Sequence, residues 1–423
     1  MTPRGKRVPA VEINRQIKRI LGTQPGDFKF IKEELRIVTM KNLNLIEASE
    51  QGNLDAVRQL LAEGADVGFK DADGRTALMA ATQKNQIEIV KVLLEAGSDV
   101  NTRDITLLTP FICSGANGFH EILSLMLNYG ADLKSVNRFG GTALLPSSEK
   151  GYLKTVQRCL DAGIPVNHAN DLGWSALLEA VILGNGGRLY SDLIELLVEA
   201  GADVNLPDRD GKSSLQHAIE LKQEKVVRIL KKEYVESNET IKQAKSLARA
   251  DQYEKAIKLI DIALESDPEN LDLIYYKGHF LQELKRYEEA LEQYQKALAI
   301  NPNDLDFYFY TANCLRLMNM PGEALAEYDK AVSLDSNETF YLYHKSNYLR
   351  ELGRHEDAVQ AMNRLLAMQP NRYDFSFHKA NSLRSLGRHE EAIEAIENAI
   401  KNDPANPLYH THKQKSLELL GKE

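Results

Sequence analysis

Residues 271–304 read LDLIYYKGHFLQELKRYEEALEQYQKALAINPND, and residues 305–338 read LDFYFYTANCLRLMNMPGEALAEYDKAVSLDSNE. The line returns over 339–372 and again over 373–406, always in the same 34-residue register. Ala290, Ala324, Ala358 and Ala392 fall in one column, and Gly278, Ala312, Ser346 and Ala380 in another. Leu281, Leu315, Leu349 and Leu383 make a third. Small residues at fixed places let paired helices approach closely, and Pro302, Pro370 and Pro404 punctuate the joins between units. The pattern predicts pairs of antiparallel helices, each pair burying the face of the next.

A first copy precedes this stretch, with Ala244, Leu247, Ala256 and Pro268 in the same columns, and a half unit, Leu408–Leu420, follows it. The five copies resemble the tetratricopeptide repeat, which implies a right-handed superhelix with a groove lined by the first helix of each unit. In that family the fifth, ninth and twelfth positions of this helix point into the groove. Here they hold Tyr275, Phe309, Tyr343 and Phe377; Asn313, Asn347 and Asn381; and Arg316, Arg350 and Arg384. Asn offers both a donor and an acceptor to an extended peptide backbone, and Arg offers a fork for carboxylates or phosphates. The alternative is a structural ladder, with Asn bonded to the adjacent helix and Arg paired to acids such as Glu351. The family's chaperone-tail clamp wants Lys or Arg at the fifth position, where this chain has aromatics. His344, His378 and His412 also recur at 34 residues, with His410 nearby. Stacked layers hold equivalent residues roughly 10 Å apart, too far for a shared metal, so surface or groove histidines are expected.

Upstream, from residue 42 to 235, a period near 33 replaces the period of 34. GNLDAVRQLLAEGADV, NQIEIVKVLLEAGSDV, GFHEILSLMLNYGADL, GYLKTVQRCLDAGIPV and YSDLIELLVEAGADV each join an amphipathic helix to a Gly that stops it. Short polar excursions follow: DADGRTAL, DITLLTPF, NRFGGTAL, NDLGWSAL and DRDGKSSL. These lines resemble ankyrin repeats, about six of them, which implies helix–turn–helix units with projecting β-turn fingers. The family's Thr-Pro-Leu-His tetrapeptide is nowhere intact, but the hydroxyl that opens each helix is kept at Thr76, Thr109, Thr142, Ser175 and Ser213. The fifth repeat carries four extra residues around Gly184-Asn185-Gly186-Gly187. The single tryptophan, Trp174, stands where the other fingers have Arg75, Leu108, Gly141 and Lys212. The resemblance implies a position facing the concave binding side, making Trp174, with Phe139 and Arg138, a candidate interface. The other reading packs the indole against the neighbouring finger, by Phe139.

Residues 1–41 match neither repeat. They carry ten Lys or Arg against four Asp or Glu, whereas 42–235 and 236–423 have net charges of −7 and −8. Val11, Ile13, Ile17, Ile20 and Leu21 suit a helix, and a second short helix is expected from Asp27. This basic extension is either a cap over the first repeat or an arm for nucleic acid or lipid. The acidic arrays argue against nucleic-acid binding by the repeats. No apolar run approaches a membrane span, and the three scattered cysteines suit a reducing cytoplasm. No catalytic or phosphate-binding motif occurs, and no cofactor or metal is expected.

The expectation is therefore an all-α chain of two solenoids in tandem: an extension over 1–41, ankyrin repeats over 42–235, and tetratricopeptide repeats over 236–423. Its degenerate ankyrins fused to tetratricopeptide units resemble bacterial proteins. The implied role is a monomeric, non-enzymatic cytoplasmic scaffold for partner proteins or extended peptides. The alternative is a regulator of an enzyme or toxin, an inhibitor or immunity protein or an injected effector, that acts by occlusion.

Overall fold

The computed structural model describes residues 28–335, 339–370, 372–402, 404 and 407–421. The helix expected over residues 11–21 lies outside them. Among the described residues there are 23 helices and no sheet. The first, α1 (Phe28–Gln51), starts next to Asp27 but runs for 24 residues, straight past residue 41. Contacts group the chain into two compact units, Met1–Glu179 with Glu199–Leu206, and Ala180–Val198 with Pro207–Glu423. The change of repeat at 235/236 thus falls inside the second unit.

In the first array, helix pairs alternate with fingers: α2 (Leu54–Ala62), α3 (Ala77–Gln83) and α4 (Ile87–Glu95), α5 (Pro110–Ala116) and α6 (His120–Asn128), α7 (Leu144–Glu149) and α8 (Leu153–Asp161). The fifth pair is α9 (Ala176–Leu183) and α10 (Arg188–Glu199), and the sixth α11 (Ser214–Glu220) and α12 (Glu224–Leu230). Each finger is folded by its own first side chain. Oδ1 of Asp71, Asp104, Asn137, Asn170 and Asp208 accepts from the backbone N–H groups two and four residues on, at 2.8–3.0 Å. The hydroxyls of Thr76, Thr109, Ser175 and Ser213 then cap the following helices. Thr142 does not: Ala143 stands at the N-cap of α7, and Thr142 Oγ1 is buried without a partner.

In the second array, helices pair as α13 (Glu239–Arg249) with α14 (Tyr253–Ser266), α15 (Leu271–Glu283) with α16 (Tyr287–Ile300), and α17 (Leu305–Leu317) with α18 (Pro321–Leu334). Next come α19 (Thr339–Glu351) with α20 (His355–Met368), α21 (Tyr373–Ser385) with α22 (His389–Asn402), and last α23 (Pro407–Leu419). The alanine column is at the centre of each pair, wholly out of water. A Cβ on Gly278 would come within 2.4 Å of the Tyr294 ring, and the Ser346 hydroxyl reaches the Ala358 carbonyl at 3.3 Å. The small columns are therefore packing positions, as their chemistry suggests.

Candidate functional site

The first helices of the tetratricopeptide-like units, α13, α15, α17, α19 and α21, carry the ladder residues. The four aromatic rungs do not line an open groove. Tyr275, Phe309, Tyr343 and Phe377 are all buried, because the next repeat covers each of them. Phe309 meets Phe340 at 4.9 Å and His344 at 5.0 Å between ring centroids. Tyr343 meets Phe375 at 5.7 Å, and Phe377 meets His412 at 4.8 Å. They are core, which corrects the expectation that they point into a groove. His344 and His412 are buried with them rather than on the surface.

Of the polar rungs, Asn313 and the three arginines are half-buried. Asn313 Oδ1 accepts from the Tyr328 hydroxyl at 3.1 Å, and Arg316 pairs with Glu351 at 3.2 Å. Asn347 and Asn381 are buried and accept from Arg350 and Arg384 of their own helices. The fingers hold another correction. Trp174 is only 5% exposed, so its indole is not an outward anchor. Phe139 and Arg138 are half-buried, with the guanidinium 4.8 Å from the ring centroid. The exposed apolar groups of the fingers are instead Ile105 and Leu107, at 58% and 47%. Leu107 has φ +63°, a conformation the other fingers give to Gly74, Gly140, Gly173 and Gly211.

One cluster of the second unit was not expected from the repeats. The four-residue insertion and α10 lie against α13, α15, α17 and α19. Asn185 Nδ2 donates to Asp306 Oδ1 at 2.5 Å, and Asp306 also accepts from the Tyr341 hydroxyl at 3.0 Å. Burial and the neighbouring Asp304 push the Asp306 carboxyl up, against the pull of Asn185 and Arg188. The Arg188 guanidinium reaches Asp272 at 2.6 Å and Asp304 at 3.0 Å and rests 5.1 Å from the Phe307 ring centroid. Burial opposes that charge, but the two carboxylates hold it. Tyr190 is enclosed, its hydroxyl 3.2 Å from His344 Nε2 and its ring edge-on to Phe340 at 5.5 Å. Asp192 takes Lys245 at 2.8 Å and the Tyr276 hydroxyl at 3.0 Å, while Glu195 takes Lys245 at 2.5 Å.

Sequence supplies a reason for the fit. Asp272, Asp306 and Asp374 form a second-position column that Phe340 interrupts, and the Tyr190 ring meets the chain there. Glycines bring the loop in close. A Cβ on Gly187 would lie 2.2 Å from Asp306 Oδ2, and one on Gly186 would lie 2.8 Å from Gln223 Cγ. Gln223 Nε2 holds the Val181 and Gly184 carbonyls at 3.0 Å each, which satisfies the end of α9. The insertion was the visible signal for this contact; its destination had none.

Nothing in this arrangement resembles a nucleophile and its base. Burial pushes the thiols of Cys113, Cys159 and Cys314 up to about 12, far from a reactive thiolate. Among the described residues no group of three His, Cys, Asp or Glu could hold a metal, and no helix is long and apolar enough to cross a membrane.

A helical repeat protein with a filled inner face is the class these features define. Family comparison makes it particular. Residues 33–104, 111–208 and 148–242 match the model for ankyrin repeats in three copies. Residues 241–304, 343–407 and 293–326 match tetratricopeptide-repeat models. The chain carries ankyrin repeats followed by tetratricopeptide repeats. No curated protein matches it. Among solved structures it is similar to an ankyrin repeat domain from Acinetobacter baumannii AYE, with 43% identity over 45% of this chain and 97% of that one, and a TM-score of 0.44. The ankyrin repeat protein EF0377 follows, with 36% identity, the same coverage and a TM-score of 0.44. A predatory endopeptidase from Bdellovibrio bacteriovorus in complex with an immunity protein gives 26% identity, again over 45% and 97%, with a TM-score of 0.40.

Proposed function

We propose that the protein is a cytoplasmic, monomeric adaptor that holds partner proteins or extended peptides, using the ankyrin repeats of 42–235 and the tetratricopeptide repeats of 236–423. Both repeat families are generally protein-interaction modules. One observation carries the reading further. The inner face of the second unit already grips a polypeptide, the segment from Asn185 to Glu195, through carboxylates, a hydroxyl, an imidazole and an ammonium on four different helices. A face that recognises backbone-borne side chains in this way suits polypeptide partners. It offers no poised nucleophile, and the reading assigns no catalytic step. Asn313, Arg350 and Arg384 stand half-buried on the first helices of these repeats, where a peptide partner can reach them.

Selection of displayed peptides on the full-length chain tests this. Selected peptides should crosslink to α17, α19 or α21 and lose affinity when Asn313→Ala or Arg350→Met is introduced. Selection that yields nothing, or only peptides insensitive to every rung, would remove the tetratricopeptide face from the proposal.

A further inference from the structure

The twelfth-position column divides into two kinds of arginine. Arg316 Nη1 meets Glu351 at 3.2 Å and its guanidinium carbon lies 5.9 Å from the Tyr348 ring centroid. Arg286, Arg354, Arg372 and Arg388, elsewhere in these repeats, also hold carboxylates. Arg350 and Arg384 pair with no carboxylate among the described residues. Arg350 Nη1 donates to Asn347 Oδ1 at 3.1 Å and to His378 Nδ1 at 2.9 Å. Arg384 donates to Asn381 Oδ1 at 2.6 Å and to His412 Nδ1 at 2.7 Å. A guanidinium can only donate, so both imidazole nitrogens act as acceptors and all four partners are neutral. Both arginines are half-buried. Burial lowers the Arg384 pKa from its ordinary value.

A cation partly removed from water with no counter-charge is an ion pair missing one member. Here there are two, one period apart, each fixed in direction by an Asn and a His. Their orientation is set before any ligand arrives, which lowers the entropy cost of binding. We propose that Arg350 and Arg384 receive two carboxylates from an acidic, extended segment of a partner protein. The proposal rests on the reading of this face as a peptide-binding surface and names the chemistry of the peptide. Neighbouring helices of one layer lie roughly 10 Å apart. A polyproline-type peptide has three residues per turn and rises ~3.1 Å per residue, so a Glu-x-x-Glu segment sets two carboxylates on one side about 9 Å apart. Arg316, already neutralised by Glu351, is not part of the pair.

The test uses the full-length chain and fluorescent Pro-rich peptides carrying Glu-x-x-Glu or Gln-x-x-Gln, with affinity read by anisotropy. The Glu peptide should bind, and added salt should weaken it. Arg350→Met and Arg384→Met should each weaken it about tenfold, the scale of one charge-assisted contact, and Arg316→Met should leave it unchanged. If a Met variant fails to fold by circular dichroism, Arg350→Gln and Arg384→Gln, which keep a donor for the Asn and His acceptors, serve for the comparison. Equal binding of the Glu and Gln peptides, or a loss at Arg316 equal to that at Arg350, overturns the carboxylate pairing while the peptide-binding face stands. If neither peptide binds and selection also yields none, both readings fall together.

Discussion

The hydroxyl of Tyr190, in the fifth finger-bearing repeat, is 3.2 Å from Nε2 of His344, in the fourth 34-residue repeat, and both side chains are buried. Two repeat grammars share one core at this point. Tyr190→Phe should remove the hydrogen bond alone and cost about 1 kcal/mol. Tyr190→Ala should cost about 3–5 kcal/mol, since the ring also fills the space beside Phe340. Urea unfolding of the full chain, followed by a probe in the second unit, measures both. Equal costs for the two variants would mean that the ring contributes nothing.

Gly187 has no room for a methyl group, because Asp306 Oδ2 occupies its place. Gly187→Ala should therefore cost about 2 kcal/mol, as overpacking does. It should also speed hydrogen exchange over residues 185–195. In an Asp306→Ala background the same substitution should cost much less, a coupling that a double-mutant cycle detects. Additive costs would place the strain elsewhere.

Leu107 is the opposite case, a side chain where its counterparts are glycines. The left-handed conformation costs a leucine roughly 1–2 kcal/mol. Leu107→Gly should raise the stability of the first unit by about 1 kcal/mol in thermal unfolding, and Leu107→Val should lower it. A destabilised glycine variant would show that the half-exposed leucine packs better than its surface suggests.

Two buried groups, His279 in the second unit and Glu179 in the first, should give opposite pH dependences. Burial pushes His279 down to about 4, with Asp192 opposing. The unfolded imidazole binds its proton near 6.5, so between pH 6.5 and 4 the unfolded state holds more protons. The neutral ring thus contributes stability above pH 6.5 that is lost as pH falls, on the order of 3 kcal/mol by pH 4. Burial, then Glu149, push the Glu179 carboxyl well up, against a hydrogen bond from Asn170. Its unfolded form gives up a proton in the usual glutamate range while the folded form keeps it, so the first unit loses stability as pH rises. His279→Gln should flatten the acid limb and Glu179→Gln the alkaline one in unfolding curves taken from pH 4 to 8. An unchanged profile in either variant would remove that group as the cause.

The repeats were legible because each unit solves the same packing problem with the same residue types. Columns such as Ala290 to Ala392 announce helix pairs without reference to anything distant. The aromatic column was read as a lining because family position, not coverage, decided it. Phe375 and His378 of the following repeat close over Tyr343, and that register between columns only appears once the layers are stacked. Arg316 with Glu351 was anticipated as a structural pairing and is present. Trp174 had no periodic neighbour to show whether it faced in or out. The α10 contact was the least readable. It joins Arg188 to Asp272 and Tyr190 to His344 across 84 and 154 residues, once each, so repetition could not reveal it.

The four inserted residues bear on how the gene can be divided. A cut at 235/236 respects every repeat, yet it would strip α10 from Tyr276, Phe340 and His344 and leave Asp304 and Asp306 without Arg188 and Asn185. The carboxy-terminal fragment would then meet water with an aromatic trough and uncompensated acids. Binding seen with that fragment would report a wound rather than a native surface. The two families of repeats are thus spliced into one another, and neither is a cassette that can be lifted out.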